Sequence, residues 1–181
     1  MNRKAAMKLF GLLGLLMLLS CGYADRHRNN SSCEQVLVDS LAVRVQDSLF
    51  ANVHYSRSQV LDALTQVQDS QVYYRLLALY GKTFFVSSDF DSILYYNRRV
   101  KEFSRNASQS PESLQSPQWN DVLSDVYNVE GNVWMQLNRP DSAITDYKKA
   151  YEYRLKGKKL HLLPDICINI ADAYLHRSDL A

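Results

Sequence analysis

From Glu34 onward, apolar side chains return every three or four residues, and this spacing constrains the fold more than any other feature of the chain. The series includes Val36, Leu37, Leu41, Val45, Leu49, Val60, Leu61, Leu64, Val67, Val72, Leu76, Leu77, Tyr80 and Phe84. Residues three and four apart share one face of an α-helix. Strand-like alternation is not sustained, and no Asn-Gly or Asp-Gly pair marks a hairpin. The sequence therefore predicts an all-α chain.

The first twenty residues differ from the rest and predict an export signal. Arg3, Lys4 and Lys8 carry positive charge, and an unbroken apolar run over residues 9–19 follows them. As a helix this run would span only about 16 Å, roughly half of a hydrocarbon core, so it is too short for a stable membrane span. We therefore interpret residues 1–20 as a signal peptide.

The end of this signal resembles a bacterial lipobox. In Leu18-Leu19-Ser20-Cys21, Leu stands three positions before the cleavage point, a small residue stands last, and Cys follows directly. The resemblance implies that Cys21 is the lipidated first residue of the mature protein, because its thiol accepts a diacylglycerol. Two or more acyl chains are enough for stable membrane anchoring. The alternative is ordinary secretion, with cleavage after Gly22-Tyr23-Ala24.

Residues 21–33 are polar, lack apolar periodicity and predict a tether between the lipid and a helical domain over residues 34–181. No acidic run follows Cys21, so we expect a bacterial envelope protein that faces the periplasm rather than the cell surface. The formal net charge of +2 includes the predicted signal peptide. Removal of residues 1–20 leaves eighteen basic and nineteen acidic side chains, so the mature chain would be close to neutral. Nucleic acid is therefore not an expected partner.

One segment, about residues 124–156, has the spacing of a helical repeat. Aromatic and small residues alternate along it in the order Tyr127, Gly131, Trp134, Ala143, Tyr147, Ala150. This order resembles the tetratricopeptide repeat (TPR), although Glu130 stands where that family prefers Leu. The resemblance implies a right-handed α-solenoid of antiparallel helix pairs, with Gly131 facing Ala143. Between the two helices, Asn138 suits a left-handed turn and Asp141 or Ser142 suits a helix N-cap.

Neighbouring segments repeat parts of this pattern. Gly81 and Phe84 precede Gly131 and Trp134 by fifty residues, and Asp91-Ser92 is placed like Asp141-Ser142, again as a helix N-cap. Ile93 and Asn97 replace the small and aromatic residues there, so we expect this helix pair to be splayed. Near the end, Cys167, Ala171 and Tyr174 match the first helix of a last, truncated repeat. We therefore expect an N-terminal piece of a longer array, with Ile166, Ile170 and Tyr174 left bare and capable of self-association.

The TPR resemblance implies a binding function and no catalysis. The stacked first helices of such repeats line a groove for peptides, and alignment onto Gly81, Gly131 and Ala171 places six notable residues there: Lys82, Phe85, Asn128, Asn132, Met135 and Asp172. We expect a lipid-anchored scaffold for a protein or peptide ligand. The alternative is the extracytoplasmic sensory region of a larger membrane-bound signalling protein, such as a histidine kinase, cyclase or transcriptional regulator.

No motif of catalysis, phosphate binding or metal binding is present, so neither an enzyme nor a cofactor or metal site is expected. We expect Asp121, Asp125 and Glu130 to form a solvated helix face. Cys167 is predicted to be buried. The lysines at 148–149 and 156–159 are best explained by helix-dipole compensation and solubility, with anion binding as the alternative.

Overall fold

The computed structural model describes residues 33–45, 47, 51–107 and 116–179, which form seven α-helices and no strand. The helices are α1 over residues 33–45, α2 (Val53–Gln66), α3 (Ser70–Lys82), α4 (Phe90–Ala107), α5 (Pro117–Gln136), α6 (Pro140–Leu155) and α7 (Leu163–Asp179). Short 3-10 turns at Phe85–Ser87 and Leu160–Leu162 precede α4 and α7. The prediction of an all-α chain is confirmed. Residues 1–32, which include the signal and Cys21, lie outside the described residues.

Polar residues set several helix starts. Asp69 caps α3 by accepting hydrogen bonds from the backbone N–H groups of Gln71 and Val72 at 2.8 and 3.1 Å. Ser116 caps α5 through the N–H of Trp119 at 3.2 Å. These side chains satisfy N–H groups that have no partner within the helix.

The predicted caps of α4 and α6 are wrong. Asp89, and not Asp91, caps α4, since its carboxylate accepts from both the N–H and the hydroxyl of Ser92 at 3.1 and 2.7 Å. Helix α6 begins after Arg139 without a side-chain cap, and Pro140 occupies its first turn, where a missing N–H costs nothing. The left-handed turn at Asn138 is confirmed by its φ of 56°.

The helices pack on their neighbours in chain order, and alternate helices also touch. Helix α2 contacts α3, α3 contacts α4, and the series continues to α7, while α3 reaches α5 and α5 reaches α7. Helices α5 and α6 are antiparallel, because Ser124 bonds the carbonyl of Ala150 while the later Trp134 bonds the earlier Asp146. Each helix thus contributes to between two and four interfaces, and α3 and α5 each contribute to four.

Three apolar clusters fill these interfaces. The first joins α1, α2 and α3 around Val38, Leu41, Val60 and Leu76. The second joins α3, α4 and α5 around Leu77, Val100, Trp119, Leu123 and Val126. The third joins α6 and α7 around Ala143, Ile144, Tyr147 and Ala173. Because the clusters follow one another along the chain, the core is extended rather than central.

Aromatic rings fill the gaps around small residues. A Cβ atom on Gly81 would lie 3.0 Å from the Cβ of Tyr96, so α3 and α4 approach closely there, and the predicted splaying is absent at this crossing. The ring of Tyr80 lies 5.1 Å from that of Tyr96, and Phe84 lies 5.7 Å from it. Tyr96, one residue before Asn97, thus takes the aromatic place that we had expected to be empty.

One face of helix α7 is buried, and the opposite face is exposed to solvent. Ile166 and Ala173 are buried, and Ile170 packs on the α6–α7 cluster. Five residues on the opposite face are exposed: Cys167, Ile168, Ala171, Tyr174 and Leu175. The expectation of a bare face is therefore right for Tyr174 but wrong for Ile166 and Ile170, and the prediction that Cys167 is buried is also wrong.

Candidate functional site

A polar face runs across α5 and α7, where alternate helices lie side by side. The side-chain N–H of Asn169 donates to the amide oxygen of Asn128 at 3.0 Å, which joins the two helices. One turn further along α5, the amide oxygen of Asn132 accepts the hydroxyl of Tyr147 at 2.7 Å. Each Asn also carries two N–H donors. The site therefore presents oriented amide groups on half-buried side chains.

Tyr147 fixes the orientation of the Asn132 side chain through this hydrogen bond. Its ring comes from α6 and is 2% exposed. Burial, and then the nearby charge of Asp172, raises the pKa of the Tyr147 phenol above its usual value. The hydroxyl stays protonated at any physiological pH, so it acts as a permanent donor to Asn132. Asp172 itself is exposed and adds a negative charge beside the amides.

The predicted groove residues do not all belong to this face. Asn128, Asn132 and Asp172 are associated through Tyr147 and Asn169. Met135, in contrast, packs on the cluster of Ala143, Ile144 and Tyr147 and contributes to the core. Lys82 lies in the last turn of α3, and Phe85 lies in the following 3-10 turn, with its ring 6.5 Å from Phe90.

Arg75 makes a second polar bridge between alternate helices, which no sequence pattern indicated. Its guanidinium, on α3, bonds Asp39 on α1 at 2.6 Å and also the side-chain oxygen of Gln35. Arg75 lies 36 and 40 residues after these partners in the chain, so no local pattern signals the contact. Arg75 joins α1 to α3 much as Asn128 and Asn169 join α5 to α7.

The residues of the TPR-like segment form the interface between α5 and α6. Tyr127 stacks on Tyr153 with ring centroids 5.6 Å apart, and the Trp134 indole donates to Asp146 at 2.8 Å. Ala143 and Ala150 are fully buried. The atoms nearest to a Cβ placed on Gly131 belong to the ring of Tyr147.

Asp121 and Glu130 are buried in ion pairs, so the expectation of a solvated acidic face is wrong for these two residues, whereas the side chain of Asp125 is 49% exposed. Arg154, whose side chain is 2% exposed, bonds Asp121 at 2.7 Å and also Asp125. The side chain of Glu130 is 4% exposed and accepts from the Lys101 ammonium at 2.6 Å. Helices α4 and α6 supply the cations. A carboxylate survives burial only with such a partner.

Burial is the largest influence on the pKa of Glu130. Loss of water raises the pKa of its carboxyl above the ordinary value, and the ammonium of Lys101 offsets this only in part. Burial also raises the pKa of Tyr127 to about 12, with further contributions from Tyr153 and Glu130. Lys101 and Lys149 each lie 5.1 Å from the Tyr127 ring, within cation–π range.

The described residues include thiols and imidazoles, which are the side chains that could bind a metal or undergo redox chemistry. No group of three His, Cys, Asp or Glu residues within the described ranges is placed to hold a metal ion. Cys33 and Cys167 are free thiols and exposed. The Nδ1 atom of His176 is buried and has no hydrogen-bond partner among the described residues. None of the helices from residue 33 to residue 179 that the structure describes is long and apolar enough to span a bilayer.

Comparison of the chain with protein-family models, with curated proteins and with solved structures finds no match.

Proposed function

We propose that this chain is a non-enzymatic, TPR-like scaffold of the bacterial envelope, anchored through Cys21, and that it binds an extended peptide segment on the face of α5 and α7. The observation that carries the binding proposal is the pair Asn128–Asn169, which joins two alternate helices and orients their amides on one face. A peptide backbone offers carbonyl oxygens and N–H groups at regular intervals, and side-chain amides can bond both.

The packing order supports a solenoid. Contacts between α3 and α5, and between α5 and α7, are those expected of a solenoid in which every second helix lies in one row and the helices between them, α4 and α6, lie in a second row. Such an arrangement gives each repeat contacts with its neighbours only and creates an extended surface along one row. The small and aromatic residues that resemble a TPR lie between the two rows, as Gly131 and Tyr147 do.

The charges suggest which peptides would bind. Asp172 is exposed beside the amides, and Asp165 is exposed one helix turn before Asn169. These carboxylates favour a ligand with Lys or Arg side chains at the α7 end. The Asn residues would hold the ligand backbone, and the two Asp residues would select its sequence.

A random peptide library displayed on phage, selected on the immobilised full chain, tests this proposal. We expect enrichment of peptides that carry a basic residue, and tenfold or greater loss of affinity for a synthetic copy in the variants Asn128→Ala and Asp172→Asn. Asn106→Ala, an exposed position on α4, is the matched control and should bind normally. Equal affinity for wild type, the site variants and the control would overturn the proposal.

A further inference from the structure

The connection between α6 and α7 combines charge and apolar exposure in a way that the peptide site does not use. Residues 155–163, which we name the lysine–leucine segment, contain four Leu, three Lys and one His, with no carboxylate. Leu155 is 52% exposed and Leu160 is 50% exposed. Lys156, Lys158 and Lys159 are also exposed and lie between these two leucines in the chain.

The backbone of the lysine–leucine segment is fastened to α5. The carboxylate of Asp121 accepts the N–H groups of Lys158 and Lys159 at 3.0 and 3.2 Å while it pairs with Arg154. Asn120 donates to the carbonyl of Lys156 at 3.2 Å. These contacts use the polar backbone groups of the segment.

Gly157 allows this close approach to α5. A Cβ atom at that position would come 2.2 Å from the Asp121 carboxylate. A side chain at this position would therefore displace either the Asp121 carboxylate or the segment itself. The fastened backbone leaves the lysine and leucine side chains exposed on the outer surface.

We propose that the lysine–leucine segment is a contact surface for an anionic phospholipid bilayer. Ammonium groups near such a surface are attracted to its negative potential, and exposed leucines gain by entering the interface below the headgroups. A rigid segment loses little conformational entropy on contact. A free inorganic anion would use the lysines but would gain nothing from Leu155 and Leu160, so the combination favours a bilayer.

The surrounding charges and the other end of α6 support the assignment. Glu152 and Asp165 are the exposed carboxylates that flank the segment in the chain, one on each side of it. At the other end of α6, about 24 Å away for sixteen helical residues, Leu137 is 41% exposed, and the charged residues there are Arg139 and the pair of Asp141 with Arg177. This end therefore mixes both signs of charge, whereas the lysine–leucine segment carries three lysines and no carboxylate.

The test places a tryptophan in the segment of the full chain through Leu160→Trp and uses Leu137→Trp as the matched control. Trp119 is buried and Trp134 half-buried, so the wild-type emission serves as the baseline. Each variant is titrated with vesicles of brominated phosphatidylcholine, with and without brominated phosphatidylglycerol. We expect quenching and a blue shift for Leu160→Trp with the anionic vesicles and little change for Leu137→Trp.

Removal of the lysine charges distinguishes attraction to anionic lipid from non-specific adhesion to vesicles. Adding Lys156→Gln, Lys158→Gln and Lys159→Gln to Leu160→Trp should raise the half-saturating lipid concentration by at least tenfold, since three lysines contribute about a hundredfold in total. Thermal unfolding checks that this variant remains folded. Quenching that is equal for both tryptophan positions, equal for both lipid compositions, or absent altogether would each overturn the proposal.

Discussion

Tyr147 lies across Gly131 so closely that a Cβ atom on the glycine would come 2.3 Å from Cε1 of the ring. The ring is held on its other side by its hydrogen bond to Asn132. One contact therefore sets both the distance between α5 and α6 and the orientation of an amide on the candidate binding face. Packing and binding are coupled at this crossing.

Gly131→Ala should destabilise the fold. The added methyl group overlaps the Tyr147 ring, and such overpacking costs about 1–3 kcal/mol, offset in part by the roughly 1 kcal/mol that Ala gains over Gly inside a helix. We expect a lower urea midpoint and weaker peptide binding together. Gly81→Ala is the control and should cost less, because its nearest neighbour is 3.0 Å away. A Gly131→Ala variant as stable as wild type would contradict this account of the crossing.

Asp121→Asn should be the most damaging single change among the charged residues. It leaves the guanidinium of Arg154 buried with one carboxylate fewer, and breaking a buried pair costs about 3–5 kcal/mol. Hydrogen exchange at the amides of Lys158 and Lys159 should also accelerate, since both N–H groups bond the Asp121 carboxylate. The control Asp141→Asn removes the exposed ion pair with Arg177. We expect it to change the free energy of unfolding by no more than about 0.5 kcal/mol. If the two variants unfold at the same denaturant concentration, burial of the Arg154 pair is not important.

Glu130 should make stability depend on pH. Because burial raises its pKa in the folded state, the folded chain binds the proton more tightly than the unfolded chain. The stabilising contribution is therefore present below the ordinary carboxyl pKa and is lost as pH rises through the folded value. The unfolding free energy of wild type should fall relative to that of Glu130→Gln as pH increases from about 4 to 7. Glu152→Gln, at an exposed position, should follow wild type throughout, and a constant difference between Glu130→Gln and wild type would refute the prediction.

Cys21→Ala should abolish labelling of the expressed chain by a radioactive or clickable fatty acid. The reason is chemical, since only the thiol of the lipobox cysteine can accept the diacylglycerol. Cys33→Ala, twelve residues later in the chain, is the matched control and should be labelled normally. Labelling of the Cys21→Ala variant at the wild-type level would exclude Cys21 as the lipidated residue, and an unlabelled wild-type chain would favour ordinary secretion.

Part of the candidate site could be predicted from the sequence. Alignment within the chain indicated Asn128, Asn132 and Asp172, because residues at fixed offsets from a small residue share one helix face. Met135, which the same offset placed in the groove, is half-buried and packs on the cluster between α6 and α7. Asn169 and Arg75 were missed, because their partners lie 41 and 36 to 40 residues away.

The sequence by itself determined the all-α class and the turn at Asn138. These features depend on spacing and on backbone preference, which are local. Only the tertiary structure decided that Asp121 and Glu130 are buried, that the Tyr147 ring lies against Gly131, and that Cys167 is exposed. The physical reason is that burial of a polar or small group depends on what a distant helix places opposite it, such as Arg154 or Lys101, and spacing within one helix carries no information about that partner.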